Sequence, residues 1–131
     1  MSSSPVVEIV LAWLAAANQQ NLTQLLALSA TDIELTGPRG GGQGHQLLAE
    51  WLGRAGLTLT TQRIFARDQV VVVAQQGVWR ASDTGVVVGT ASVASLFRVA
   101  QGQVIAFARY DDLETALAAA QLTAENELLS T

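Results

Sequence analysis

VVVVAQQGVWRASDTGVVVGTASVASLFRV, residues 70–99, is the stretch of sequence that decides the fold. It consists of two valine-rich runs on either side of the turn-forming residues 82–85 (SDTG), and β-branched runs of this length favour strands. Such a short connection joins antiparallel neighbours. Residues 86–99 are apolar or small at odd and even positions alike, which predicts a strand that is covered on both faces.

Two further strands flank this pair, at residues 57–67 (LTLTTQRIFAR) and 103–110 (QVIAFARY), and short turn segments separate them from it. The first half of the chain is mostly helical. Apolar residues recur at helical spacing over residues 5–18, a second helix begins at Asn21, and a third runs from Gly44 to about Leu52. Between the second and third helices, the alternation in DIELTG (32–37) predicts a half-buried strand.

The C-terminal part contains a last helix, opened by Asp111 with Glu114 at the capping-box position, and then a frayed segment. We therefore predict a single domain over residues 1–122 and a flexible tail over residues 123–131. Helices cluster at one end of the sequence and strands at the other. This order predicts the α+β class, with helices packed on one face of a curved sheet.

The composition excludes several classes of function. The chain has 131 residues, half of them hydrophobic, and a net charge of −4, which gives no electrostatic footprint for nucleic acid or an anionic membrane. It has no cysteine and one histidine, so we predict no metal and no cofactor. The first ten residues lack a basic leader and Glu8 interrupts their apolar run, so we expect no signal peptide, no membrane span and a cytoplasmic location.

The most loop-like stretch is TGPRGGGQGHQLLAEW, residues 36–51. A phosphate-binding P-loop requires Gly-x4-Gly-Lys-Ser/Thr, and this stretch lacks the lysine and the hydroxyl. We interpret the glycines as a connector into the third helix. His45 has no evident carboxylate partner or nucleophile beside it, so we predict that it is exposed or associated with the helix cap.

The element order and three stretches together resemble the nuclear transport factor 2-like superfamily, and within it the SnoaL-like proteins. The stretches are VLAWLAAANQQNLTQLLALSATDIELTGP (10–38), GHQLLAEWL (44–52) and GQVIAFARYDDL (102–113). The resemblance implies a conical fold, in which a strongly bent antiparallel sheet wraps around the N-terminal helices and leaves an apolar pocket. It also implies that the outer sheet face often forms a homodimer, which fits the doubly apolar strand at 86–99.

The superfamily contains isomerases, cyclases, epoxide hydrolases and proteins that only bind, so the fold alone does not decide the function. Where the isomerases have a carboxylate base and a tyrosine donor, this chain has Gly37 and Trp13. Where the cyclases and hydrolases have an aspartate, alignment on Tyr110 gives Arg109, a permanent cation. A two-residue shift of that alignment would make Asp111 the acid instead, and capping a helix is the alternative role of Asp111.

The predicted site has no catalytic residue, and its ligand-binding residues are Trp13, Trp51, Phe107, Arg109 and Tyr110. Either Arg109 binds a carboxylate or enolate-like oxygen of a ligand, or it pairs with a carboxylate of the chain, from Glu34, Asp111 or Asp112. Gln75 and Gln76 are unusual in so apolar a strand, and one of them points either into the cavity or across a dimer interface.

The sequence therefore favours a protein that binds a small apolar molecule, acidic or ketone-bearing, in an internal pocket. It leaves open whether any reaction is catalysed. One alternative is a non-catalytic dimeric interaction module. The other is an isomerase, cyclase or hydrolase that uses an unrecognised carboxylate such as Asp111.

Overall fold

The computed structural model describes residues 5–37, 40–81 and 83–128, apart from the side chains of residues 54 and 55. The predicted helices and strands occur in the predicted order, two short strands are added to them, and the α+β class is confirmed. The elements are α1 (Pro5–Asn18), α2 (Leu22–Ala27), β1 (Ser29–Gly37), β2 (Gly40–Gln43), α3 (His45–Ala55), β3 (Leu57–Arg67), β4 (Val70–Arg80), β5 (Val87–Ala100), β6 (Gln103–Tyr110), α4 (Leu113–Ala120), a 3-10 turn (Ala124–Asn126) and β7 (Glu127–Leu128).

Within the described residues, seven strands form one sheet in the order β2-β1-β6-β5-β4-β3-β7. The sheet is mixed rather than wholly antiparallel as predicted, because β1 and β6 run parallel to each other. The chain between these two strands is long enough to return to the same end of the sheet, which a parallel pair requires. The hairpin-connected strands β3 to β6 are antiparallel, as predicted.

Three β-bulges interrupt the central strands. Gln62 in β3, Val88 in β5 and Ile105 in β6 are each an extra residue between two consecutive pairs of the ladder. Bulges bend a strand and increase its twist. They allow the sheet to curve around α1, which contacts all of β3, β4, β5 and β6.

The sheet carries apolar cores on both faces. The inner face, which packs against α1, holds the larger core together with side chains from α2 and α3. The outer face holds a smaller core beneath α4, which includes Phe65, Val72, Leu96 and Ala116. Residues 93–97 of β5 are buried on both faces, and the cover on the outer face is α4 of the same chain. The predicted two-sided cover is therefore confirmed for this part of β5, whereas Val86, Val87 and Val88 are exposed.

The glycine-rich segment forms a strand that its composition does not predict. Gly40–Gln43 pairs with β1 as the antiparallel edge strand β2, so these glycines are more than a connector. A Cβ atom at Gly41 would overlap the backbone carbonyl oxygen of Leu35. The close approach of the two strands therefore requires glycine at this position.

The C-terminal segment departs from the prediction in two respects. The cap of α4 is Asp112 rather than Asp111, since its Oδ1 accepts a hydrogen bond of 2.7 Å from the backbone N–H of Thr115. Residues 123–128, predicted as part of a flexible tail, form the 3-10 turn and β7, and Glu127 bonds to Arg63 on β3 at 2.8 Å. The last three residues of the predicted tail lie outside the described residues.

No helix among the described residues has both the length and the apolar character needed to cross a membrane.

Candidate functional site

An aromatic cluster lies on the inner face and brings together three of the predicted ligand-binding residues. The ring of Trp13 from α1 lies 4.9 Å from Phe107 on β6 and 6.0 Å from Trp51 on α3, between centroids. Phe97 on β5 completes the cluster, at 5.4 Å from Trp13 and 5.2 Å from Phe107. Trp51 is half-buried and the other three rings are buried, so Trp51 is the member with an accessible surface.

The indole N–H of Trp13 belongs to a network of hydrogen bonds around Ser29. We call the residues of this network the Ser29 cluster: Trp13, Leu25, Ser29, His45 and Gln103. Trp13 Nε1 donates to Ser29 Oγ at 2.9 Å, and Ser29 Oγ donates to the carbonyl of Leu25 at 2.7 Å. His45 Nε2 and Gln103 Nε2 both donate to the carbonyl of Ser29. His45, at the start of α3, is thus bonded to the backbone of Ser29 at the start of β1. The N–H of Trp13 is already used within the fold.

A second polar group occupies another part of the inner face. Ser95 on β5 lies directly opposite Arg109 on β6, and its Oγ donates to Gln75 Oε1 on β4 at 2.7 Å. The side chain of Gln75 is completely buried, and its Nε2 has no hydrogen-bond partner among the described residues. Of the two glutamines singled out in the sequence, Gln75 is therefore the one that points inward, while Gln76 is half-buried.

Arg109 is half-buried and lies beside an aromatic ring. Its Cζ is 5.6 Å from the centroid of the Trp79 ring, a cation–π arrangement. No carboxylate of the described residues lies within 4.0 Å of its guanidinium, so the ion pair considered as an alternative is not formed. We call Gln75, Trp79, Ser95 and Arg109 the Gln75–Arg109 site.

The bulge at Ile105 determines which side chains of β6 face inward. Simple alternation places Ile105 on the same face as Phe107 and Arg109. Because Ile105 is the extra residue, Val104 is buried in the inner core and Ile105 is 37% exposed. Tyr110 packs on the outer face beneath α4, whereas Trp13, Trp51 and Phe107 meet on the inner face and Arg109 lies beside Trp79.

None of the acidic residues is buried. All eleven aspartates and glutamates are within the described residues; ten are exposed, among them Asp111, and the eleventh is Glu127. Glu127 is half-buried, and its hydrogen bond from Arg63 lowers the pKa of its carboxyl group. The residues that the structure describes contain no group of three or more potential metal ligands. The inner face therefore offers hydrogen-bond donors and aromatic rings, but no buried carboxylate.

Trp79 and Ser95 belong to the site but were not predicted as site residues. Strand alternation is the one sequence feature that could have predicted the position of Trp79, since residues 75, 77 and 79 of β4 share one face. Gly77 lies between Gln75 and Trp79, and a Cβ atom there would come within 3.0 Å of the Trp79 ring. The glycine thus leaves room for the ring to lie across the strand.

Comparisons with known proteins agree with the fold. A sequence model described as a SnoaL-like domain matches residues 10–107. No significant match is found among the curated proteins. Among solved structures, an NTF2-like protein from Burkholderia xenovorans is 27% identical, with a TM-score of 0.70 and coverage of 92% of this chain and 98% of that chain.

Two other similar structures have names that refer to enzymes. A putative polyketide cyclase from Xanthomonas campestris is 22% identical, with a TM-score of 0.71 and coverage of 87% of this chain and 95% of that chain. An epoxide hydrolase-like protein of M. tuberculosis is 19% identical, with a TM-score of 0.71 and coverage of 89% and 90%. At these identities the likeness shows the fold alone.

Proposed function

The chain belongs to the SnoaL-like domain family, and from that premise we propose that it binds a small apolar molecule with an acidic or ketone oxygen on the inner face of its sheet. The binding residues are Trp51 and Phe107 from the aromatic cluster, with Gln75, Trp79 and Arg109. Trp13 is completely buried and packs against the rings of Trp51 and Phe107, so its role is to hold them in position. Tyr110 is not included, because it lies on the outer face.

The observation that carries the proposal is the buried Nε2 of Gln75, which has no hydrogen-bond partner among the described residues. A buried donor without a partner costs about 1–3 kcal/mol, and an acceptor oxygen of a ligand would offset that cost. Arg109 also has only N–H groups to offer, and no carboxylate of the described residues neutralises it. The ligand group that meets these two residues must therefore accept hydrogen bonds, as a carboxylate, enolate or ketone oxygen does.

The remainder of the ligand is expected to be apolar and flat. Trp51 and Trp79 are half-buried rings that pack against the inner core, and each can cover one side of a planar ligand. A small-molecule site of this kind combines mostly apolar walls with a few polar groups that fix the orientation.

The absence of a buried carboxylate separates binding from acid–base catalysis. A general base must lie within hydrogen-bond reach of the proton that it removes, and every carboxylate other than the paired Glu127 is exposed. Asp111 follows the end of β6 at an exposed position, which gives the carboxylate alternative no support. If a reaction is assisted, the contribution available from Arg109 is electrostatic stabilisation of a developing oxyanion.

A fluorescence titration with matched ligands tests the proposal. The ligands are 2-naphthoate, 2-acetylnaphthalene and naphthalene, and the variants are Arg109→Met and the control Arg80→Met, which removes the same charge from an exposed position. We expect Arg109→Met to weaken naphthoate binding by about tenfold or more and to leave naphthalene binding unchanged. Equal affinity of the wild type and Arg109→Met for naphthoate would refute the role of Arg109, and no binding of any ligand would refute the site.

A second candidate function is a homodimeric interaction module, which one feature of β5 favours. The pairing of β5 with β6 stops at Ala94, so residues 87–93 are paired with β4 on one side only, within the described residues. Val86, Val87 and Val88 are 60%, 46% and 67% exposed beside this free edge. Free apolar edges pair readily with other chains. Sedimentation equilibrium tests this function: we expect a dimer that Val88→Lys dissociates, and a monomeric wild type would exclude it.

A further inference from the structure

A cavity of about 260 Å³ lies on the outer face of the sheet, on the opposite side from the Gln75–Arg109 site. The strands contribute Arg67, Val70 and Arg98 to its walls, and the turn between β3 and β4 contributes Asp68. The end of α4 and the two residues after it contribute residues 119–122. The proposed function does not use this cavity.

Two arginines occupy one row of this cavity. Arg67 on β3 and Arg98 on β5 are both paired with Val70 on the strand between them. Residues paired directly across neighbouring strands point to the same face, and two strand spacings separate the outer members of the row by about 10 Å at Cα. The long side chains of Arg67 and Arg98 can therefore converge on a single small group above Val70.

Neither arginine is neutralised by the described part of the chain. Arg67 and Arg98 make no ion pair or hydrogen bond with a described residue, although Asp68 lines the same cavity. Arg63, four residues before Arg67 on β3, is by contrast paired with a carboxylate. Its guanidinium makes two hydrogen bonds of 2.8 Å to Glu127. Two like charges that line one cavity repel each other unless an anion lies between them.

The carbonyl groups at the end of α4 offset only part of the positive charge of Arg67 and Arg98. The carbonyl end of a helix attracts cations, but the N–H groups of Gln121 and Leu122 already bond to the carbonyls of Ala118 and Leu117. The helix end therefore offers a weak dipole rather than the paired acceptor oxygens that a guanidinium fork binds best.

We infer that this cavity binds a compact dianion, a phosphate group or a small dicarboxylate, between the guanidinium groups of Arg67 and Arg98. The volume fits this class, because it falls just below the range of about 300–1,000 Å³ that is typical of sites for drug-sized ligands. The planar fork of arginine matches the geometry of both oxyanions.

Isothermal titration calorimetry with inorganic phosphate tests the inference, with sodium chloride added to keep the ionic strength constant. The variants are Arg67→Gln and Arg98→Gln. Arg80→Gln serves as a control that loses the same charge elsewhere, and Arg109→Met reports whether the inner face binds the anion. We expect saturable binding by the wild type, a loss of about tenfold or more in each cavity variant, and an affinity within about twofold of the wild type in Arg80→Gln. A parallel titration with succinate distinguishes a phosphate group from a dicarboxylate as the preferred ligand.

Several outcomes would overturn the inference. One is the lack of saturable binding of both phosphate and succinate, and another is an equal loss in Arg80→Gln, which would reduce the effect to net charge. A loss confined to Arg109→Met would assign the anion to the inner face instead. Arg98→Lys keeps the charge and removes the fork, so intermediate affinity is expected, and thermal unfolding of each variant checks that the fold is retained.

Discussion

The inner face of the sheet contains two groups of polar side chains with opposite hydrogen-bonding states. In the Ser29 cluster, Trp13 Nε1, Ser29 Oγ and His45 Nε2 each donate to an acceptor within the fold. In the Gln75–Arg109 site, Gln75 Nε2 has no partner among the described residues, and Arg109 has only the Trp79 ring. Burial alone therefore does not distinguish structural polar residues from binding residues, whereas the accounting of donors and acceptors does.

The largest expected effect on stability comes from replacing Trp13, the residue that the Ser29 cluster and the aromatic cluster share. Trp13→Ala should lower the free energy of unfolding by about 3–5 kcal/mol, because it removes a fully buried indole. Trp51→Ala is the matched control and should cost less, since Trp51 is half-buried. Urea denaturation measures both variants. Equal losses of unfolding free energy would show that the two rings contribute equally to stability, and would weaken the assignment of Trp51 to ligand binding.

The second prediction compares the two polar groups directly. Ser29→Ala should cost about 1–3 kcal/mol because it leaves Trp13 Nε1 without its acceptor. The double variant Gln75→Leu/Ser95→Ala removes both partners of the other hydrogen bond, and should change stability by less than about 1 kcal/mol while weakening ligand binding. Urea denaturation and the naphthoate titration provide the two measurements. If the double variant proves as destabilising as Ser29→Ala, the contrast between the two groups disappears.

The smallest expected effect is on stability at low pH. It involves residues outside both polar groups, because neither group contains a carboxylate. Hydrogen bonds from Thr115 lower the pKa of Asp112, and the bond from Arg63 lowers the pKa of Glu127. Both groups therefore stabilise the fold above their ordinary pKa values, and this contribution is lost as the pH falls through the folded pKa. Thermal unfolding between about pH 5 and about pH 3 should show a smaller loss for Asp112→Asn than for the wild type. An unchanged loss would mean that other carboxylates govern the acid sensitivity.

The sequence predicts the local elements of this fold closely. The strands at 57–67 and 103–110 are found with the same limits, because turn residues and alternation are signals carried by the segment itself. The parallel pairing of β1 with β6 and the bulge at Ile105 were not predicted, since both depend on a partner strand distant in sequence. The edge strand at Gly40–Gln43 was missed for a related reason: glycine has low strand propensity, and only the close approach to β1 favours it.

The structure brings some of the predicted ligand-binding residues together and separates others, and both results have a physical explanation. Trp13, Trp51 and Phe107 meet because each lies on the apolar side of its own helix or strand. Tyr110 faces away because it is one residue beyond Arg109 on the same strand. The inward position of Gln75 was one of two alternatives, and its unpaired donor becomes visible only when the neighbours on β3 and β5 are in place.

The bulge in β6 has a consequence for how this architecture can diverge. Ile105 is the surplus residue of the ladder, so a chain lacking it would pair β6 regularly with β5 and still direct Phe107 and Arg109 toward α1. Only the bend would be lost. Insertions and deletions at such positions can therefore widen or flatten the space above the sheet while the side chains that line it stay the same, which separates the evolution of ligand size from that of ligand chemistry.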